Sequence, residues 1–217
     1  MGREILQGLL ADDSVAAVHS LGRRPLPLQH PKLTHHVVDF AALSANAGTA
    51  RLPALPAAGE VFLALGTTIK AAGSQAAFRA IDFEANLAVA RAARAQGATK
   101  AGVVSAMGAD ARSSIFYNRV KGELEDALAS LGFSTLVIAR PSFLAGDRQA
   151  LGQPVRSGEK LALRASRWLA PLIPDNYKSI AAADVAGALL QEVVTARGRV
   201  VLTSGALRKS AASRHAP

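Results

Sequence analysis

Tyr117 and Lys121 stand four residues apart in Tyr117-Asn118-Arg119-Val120-Lys121, and Ser105 lies twelve residues upstream at the end of an apolar run. On a helix, residues four apart project from one face, one above the other. An ammonium one turn from a phenol favours the phenolate, bringing a group of reference pKa ~10 toward proton exchange near neutrality. A serine hydroxyl at the C-terminal end of the preceding strand can hold a substrate oxygen beside that phenol. Together the residues suit an acid–base site that interconverts a carbonyl and an alcohol. A Tyr–Lys pair alone is common on helices; the serine and the flanking elements give this one weight.

The elements that would position these residues alternate along the chain. Apolar, β-type runs at Ala16–Ser20, Thr34–Val38, Val61–Leu65, Ala101–Ser105, Thr135–Ala139 and Val200–Thr203 predict strands. Helical patterns at Arg3–Ala11, Ala76–Gln96, Ile115–Leu131 and Ala182–Thr195 lie between them. Strands separated by helices predict a doubly wound α/β fold, a parallel sheet covered on both faces. Gly97 and Gly132 fall where helix C-termini should end. Leu43–Gly59, with Pro53 and Pro56, reads as a loop or broken helix, and Gln149–Ser179, with Pro154, Pro171 and Pro174, as an insertion on the substrate side of the cleft. The chain opens on a helix where a doubly wound domain should open on a strand.

The 217 residues suit one domain, expected over 1–207, and half of them are hydrophobic, enough for a large core. With no cysteine there is neither a disulfide framework nor a thiolate metal site, so a cytoplasmic location is the expectation. No apolar stretch reaches the ~18 residues of a membrane span, and the N-terminus lacks a signal-peptide layout. The formal charge of +9 raises nucleic acid as a partner, but the basic residues are scattered rather than clustered with aromatics, which argues against it. Part of the excess lies at 208–217, read as a solvated, frayed tail. A small-molecule substrate and a monomer or homodimer are the expected partners and state.

With Ser105, Tyr117 and Lys121 in a strand–helix succession, the chain resembles a short-chain dehydrogenase/reductase. The likeness is to the small atypical branch, which includes NAD(P)-binding, NAD-dependent epimerase/dehydratase-like and Tat-interacting oxidoreductase-like proteins. It runs from Gly2 to about Leu207. Its most specific stretch is Val103-Val104-Ser105-Ala106-Met107-Gly108-Ala109-Asp110, followed by Ser113-Ser114-Ile115-Phe116-Tyr117-Asn118-Arg119-Val120-Lys121-Gly122-Glu123-Leu124-Glu125. The resemblance implies a Rossmann-like domain and catalytic roles for Ser105, Tyr117 and Lys121, with Lys121 also bonding the nicotinamide ribose. Arg140-Pro141-Ser142 resembles the family's turn beside the nicotinamide, so Pro141, Ser142 and Phe143 are expected on that side. Leu65-Gly66-Thr67-Thr68 follows the strand where the family passes its backbone along the cofactor ribose and pyrophosphate; Gly66 permits close approach and the threonines offer hydroxyls. Asp39 stands where the family often contacts the adenine. Asn86 matches a position where relatives often carry a supporting asparagine.

In dinucleotide folds the end of the second strand meets the adenosine ribose, and an acid there favours NAD. This chain reads Ser20-Leu21-Gly22-Arg23-Arg24, with no carboxylate. Arg23 and Arg24 suit a 2′-phosphate, which a guanidinium can grip with two hydrogen bonds. NADP is therefore the expected cofactor, with NAD the alternative. The departure from the family is N-terminal: of strand, G-x-x-G-x-x-G and helix, only the last glycine remains, as Gly2. The turn whose amides hold the pyrophosphate is missing, and so is the strand at the sheet centre in 3-2-1-4-5-6 order. Two neighbours should then keep unpaired inner edges. Met1 is expected to be an internal methionine, and the chain as it stands to bind either cofactor poorly.

Other residues carry less. His35 and His36 are adjacent on a strand, point to opposite faces and have no third ligand at metal spacing. Trp168, Tyr177 and Lys178 suit core or rim positions, and Asp184 an N-cap or first-turn acid. The resulting expectation is an NADP(H)-dependent oxidoreductase acting on a small carbonyl or alcohol. The rival is a non-catalytic NAD(P)-binding sensor or scaffold that regulates a partner protein.

Overall fold

Leu136 and Ile138 of strand β5 (Thr135–Arg140) face one core cluster, and Val137 and Ala139 face another. The unbroken apolar run thus supplies two interiors, because alternate side chains leave a strand on opposite sides. In the computed structural model, which describes residues 1–40, 56–142, 144–145, 176 and 179–214, β5 lies inside a four-stranded parallel sheet. Its order is β3 (Glu60–Leu63), β4 (Lys100–Val104), β5 and β8 (Gly198–Thr203).

One face is covered by α4 (Asn86–Ala95) and α5 (Phe116–Ala129), whose Leu87, Val89, Ala90, Leu124 and Leu128 meet Val61, Leu63, Val103 and Ile138. The other is covered by α1 (Gly2–Ala11), α6 (Ala182–Thr195) and α7 (Ser204–Arg214), through Ile5, Val185, Leu189, Val193 and Leu207. Gly102 lets helix and neighbouring strand close on β4: a Cβ there would lie 2.9 Å from Phe62 and 3.0 Å from Val193. Gly97 and Gly132 take left-handed φ of 100° and 73° after α4 and α5, as their positions predict.

The sheet is in two parts. β1 (Val18–Gly22) pairs in parallel with β2 (Leu33–Val37) and β3 with β4, and among the described residues neither β1 nor β3 has another strand partner. The inner edges of β1 and β3 are the two expected to lose a partner when the central strand is missing. Leu21, Val38 and Phe40 nevertheless pack into the cluster holding Val61 and Leu63, so both parts share one core. A short parallel pair, β6 (Leu144–Ala145) and β7 (Ile180–Ala181), stands apart.

Two expectations change. The single helix over Ala76–Gln96 is instead α3 (Gln75–Arg79), a π-helical turn (Ala80–Ala85) and α4, preceded by the short α2 (Ile69–Ala72). The basic segment from residue 208 is not a frayed tail up to Arg214: it continues α7, which buries Leu207 and Ala211 and whose Arg208 donates to the Ser179 carbonyl at 2.8 Å. Small residues spaced around two apolar anchors let it seat against α6, a pattern that its charge obscures. Asp184 lies in the first turn of α6, whose N-cap is Ala181, so it is the first-turn acid and not the cap. Phe143, Trp168, Tyr177, Lys178 and most of 149–179 lie outside the described residues, as does 41–55. No helix among the described residues is long and apolar enough to cross a membrane.

Candidate active site

Helix α5 starts at Phe116, beyond the C-terminal end of β4, and the loop between them folds back onto it. The Asp110 N–H donates to the Asn118 carbonyl at 3.1 Å, and Arg119 donates to the Ser113 carbonyl at 2.9 Å. Gly122 makes this closeness possible: a Cβ there would stand 2.1 Å from the Ala111 nitrogen and 2.2 Å from the Asp110 carbonyl carbon. The helix is thereby held with Tyr117, Lys121 and Glu125 in one stripe.

Tyr117 is half-buried, its ring tilted on Phe78 at 5.5 Å between centroids. Burial pushes its phenol above the ordinary value, and the Asp82 carboxylate pushes the same way. The sequence expectation was the reverse, that Lys121 lowers it. The reason lies one turn on: Lys121 is buried and its Nζ lies 2.6 Å from Asp82 Oδ1, so the ammonium is already balanced. That contact is an ion pair whose angle falls outside a good hydrogen bond, while Asp82 Oδ2 accepts the Thr67 N–H at 2.9 Å. Asp82 was missed in the sequence because it sits inside a helical stretch, and only the π turn aims it at Lys121.

Asn86 supports this turn. Its Nδ2 donates to the carbonyls of Leu65, Ile81 and Asp82 at 3.1, 3.3 and 3.0 Å, tying the end of β3 to the helix.

Ser105 does not join Tyr117. Its hydroxyl donates to buried Glu125 Oε1 at 2.5 Å, two turns farther along α5. Glu125 also accepts from Arg140 Nε at 3.0 Å, and Arg199 lies 3.6 Å from its Oε2. The Glu125 hydrogen bond holds the Arg140 guanidinium above its ordinary value. A buried carboxylate needs such partners, and Ser105 serves as one of them. With its hydrogen committed, Ser105 has none to give a substrate oxygen.

The remaining expected residues ring the same ends of the strands. Leu65 packs on the core, Gly66 lies next to Asp82, and Thr67 is half-buried. Thr68 caps α2, its Oγ1 accepting the Ala71 N–H at 3.1 Å, so its hydroxyl has a structural task. Pro141 is buried and its carbonyl accepts the Met107 N–H at 3.0 Å; the Ser142 hydroxyl faces that of Ser204 at 2.9 Å. Gly2 opens α1 beside Ala64, and no side chain caps that helix. Arg23 and Arg24 are exposed directly after β1, and Asp39 is exposed after β2. His36 pairs with His19 at 3.1 Å while His35 reaches Ser20 and the Arg24 carbonyl; among the described residues no group of three or more His, Cys, Asp or Glu could hold a metal.

This architecture is a Rossmann-like α/β fold with a parallel sheet. The chain is similar to a short-chain dehydrogenase family protein from Francisella tularensis (TM-score 0.63, 11% identity, 95% of this chain and 94% of that one). It is also similar to a Burkholderia cenocepacia short-chain dehydrogenase in complex with NADP (TM-score 0.56, 15% identity, 99% and 88% covered). The Bordetella bronchiseptica enzyme WbmH in complex with NAD+ shares the fold too (TM-score 0.62, 15% identity, 96% and 74% covered). No family model matches.

Among curated proteins, the chain is 35% identical over 156 residues to Protein FMP52, mitochondrial, of Coccidioides immitis, a match covering 69% of this chain and 63% of that protein. It is 38% identical over 152 residues to Protein fmp52-1, mitochondrial, of Aspergillus terreus, covering 69% and 64%. The chain thus spans a little under two thirds of these relatives' length. Their names correct the expected cytoplasmic location. Lack of cysteine rules out disulfides; it does not separate one compartment from another that has no need of them.

Proposed function

We propose that the chain is an NADP(H)-dependent oxidoreductase that reduces a small carbonyl, with Tyr117 as the general acid. One observation carries the reading: a half-buried phenol, kept protonated by burial and by Asp82, stands at the C-terminal ends of a parallel sheet beside a buried Lys–Asp pair. In open α/β sheets ligands bind in that crevice. The phenol proton is the one a carbonyl oxygen would take up on reduction.

The residues present fit a dinucleotide phosphate. The uncapped first turn of α1 leaves its amides and the positive end of its dipole for a phosphate, and exposed Arg23 and Arg24 suit the 2′-phosphate. Lys121 spends one face of its ammonium on Asp82 and keeps donors for a ribose hydroxyl. The nicotinamide, when bound, supplies the hydride, and Tyr117 delivers the proton to the carbonyl oxygen. Pro141 and Ser142 would border the nicotinamide. Ser105 holds Glu125 and is left out of this scheme.

The test is consumption of NADPH in the presence of a panel of short aldehydes and ketones, followed by the absorbance of the reduced nicotinamide at cofactor levels raised until the rate saturates. Turnover lost on Tyr117→Phe supports the reading; no turnover with any carbonyl while NADPH still binds supports the second one. That second reading, an NAD(P)-binding sensor or scaffold without chemistry, draws on the diversion of the Ser105 hydroxyl to Glu125.

A further inference from the structure

We propose that Asp82 is a positioning residue of this site: one oxygen holds the Lys121 ammonium, the other the Thr67 amide, and through them it couples the β3 loop to the charge beside Tyr117. The proposal rests on the reading of Tyr117 as the acid. Its grounds are geometric. Asp82 is buried, its two oxygens lie 2.6 Å from Lys121 Nζ and 2.9 Å from the Thr67 nitrogen, and its backbone carbonyl is held by Asn86. It reaches both partners because Ala80–Ala85 is a π turn inside a longer helical run. Such a turn adds a residue to the helix and leaves carbonyls without ordinary helical partners; Asn86 answers for those of Ile81 and Asp82.

The charge that acts on the phenol is Asp82 from the π turn, and Lys121, one turn along the helix of Tyr117, is its ion-pair partner. Arg79 of α3 and Arg119 of α5 both pair with Glu123 of α5. Removing either member of the buried pair should therefore move the phenol in opposite directions. Loss of the negative member leaves Lys121 unbalanced and favours the phenolate; loss of the positive one leaves Asp82 unbalanced and opposes it.

The chain has two tyrosines, so Tyr177→Phe leaves Tyr117 as the single phenol, read by its ultraviolet phenolate absorbance during an alkaline titration. In that background Asp82→Asn is expected to lower the midpoint, Lys121→Met to raise it, and Asp82→Glu to stay near the parent. Amide exchange at Thr67 should quicken in Asp82→Ala and stay slow in Lys121→Met. Midpoints unchanged in both charge variants, or moved in the same direction, overturn the proposal. If Asp82→Asn loses its cooperative thermal transition, Lys121→Met alone decides, and a midpoint not above the parent's overturns it. The titration needs neither cofactor nor turnover, so a chain that reduces nothing can still pass it. A reductase that fails it keeps the proposed function and loses only this role for Asp82.

Discussion

At the scale of single residues, two buried carboxylates organise the site, Asp82 beside Lys121 and Glu125 beside Ser105 and Arg140. Tyr117 and Lys121 sit on one helix face as their spacing demands, yet Lys121 answers to Asp82 and Ser105 to Glu125. Spacing fixes which side chains share a face; it is silent on which distant carboxylate folds in beside them. The raised phenol has a consequence for stability. Folded Tyr117 holds its proton more tightly than the unfolded chain does, so this contribution is intact below the ordinary phenol value of ~10 and falls as pH rises through the folded value. Tyr117→Phe should flatten that part of the alkaline loss, measured as urea midpoints between about pH 9 and 12; an unchanged slope would contradict the burial argument. Glu125 anchors a different cluster. Glu125→Ala strips the partner from Arg140 and Ser105 and is expected to cost about 3–5 kcal/mol in urea unfolding, the scale for breaking a buried pair.

Among the elements, α5 depends on one backbone contact. Gly122→Ala puts a methyl into the Asp110–Ala111 backbone, which cannot swing aside as a side chain can. About 1–3 kcal/mol of destabilisation is expected, as for an overpacked core, and equal stability of the variant would mean that the loop yields. The strands and helices were largely legible because β4 and β5 are apolar on both faces, β3 and β8 hold short apolar runs, and the helices between them carry one apolar stripe each. The π turn was not legible: a single extra residue leaves the apolar pattern of Phe78, Ala85 and Leu87 nearly continuous. Nor was α7, whose arginines masked two buried anchors. The split of the sheet has its own test. Alternate amides on the inner edges of β1 and β3 lack strand partners among the described residues, so hydrogen exchange should be fast there and slow through β4 and β5. Uniform protection across β1 and β3 would contradict the open edges.

For the whole molecule, the proposed preference for NADP rests on two of its many positive charges. Arg23 and Arg24 flank the end of β1 without a carboxylate nearby in sequence. A charge-assisted contact contributes about 1.5–3 kcal/mol, so NADPH should bind about ten-fold or more tightly than NADH. Replacing both arginines with alanine should erase the difference in a fluorescence titration; equal affinities before replacement would end the NADP assignment. The central claim is proton donation by Tyr117 to a carbonyl reduced at the expense of NADPH. It is met most directly by comparing the parent with Tyr117→Phe at saturating cofactor, with NADPH affinity measured alongside. Turnover is expected to fall by ~10²-fold or more at unchanged NADPH affinity, the scale of a lost general acid. Equal turnover in the two proteins would contradict the account.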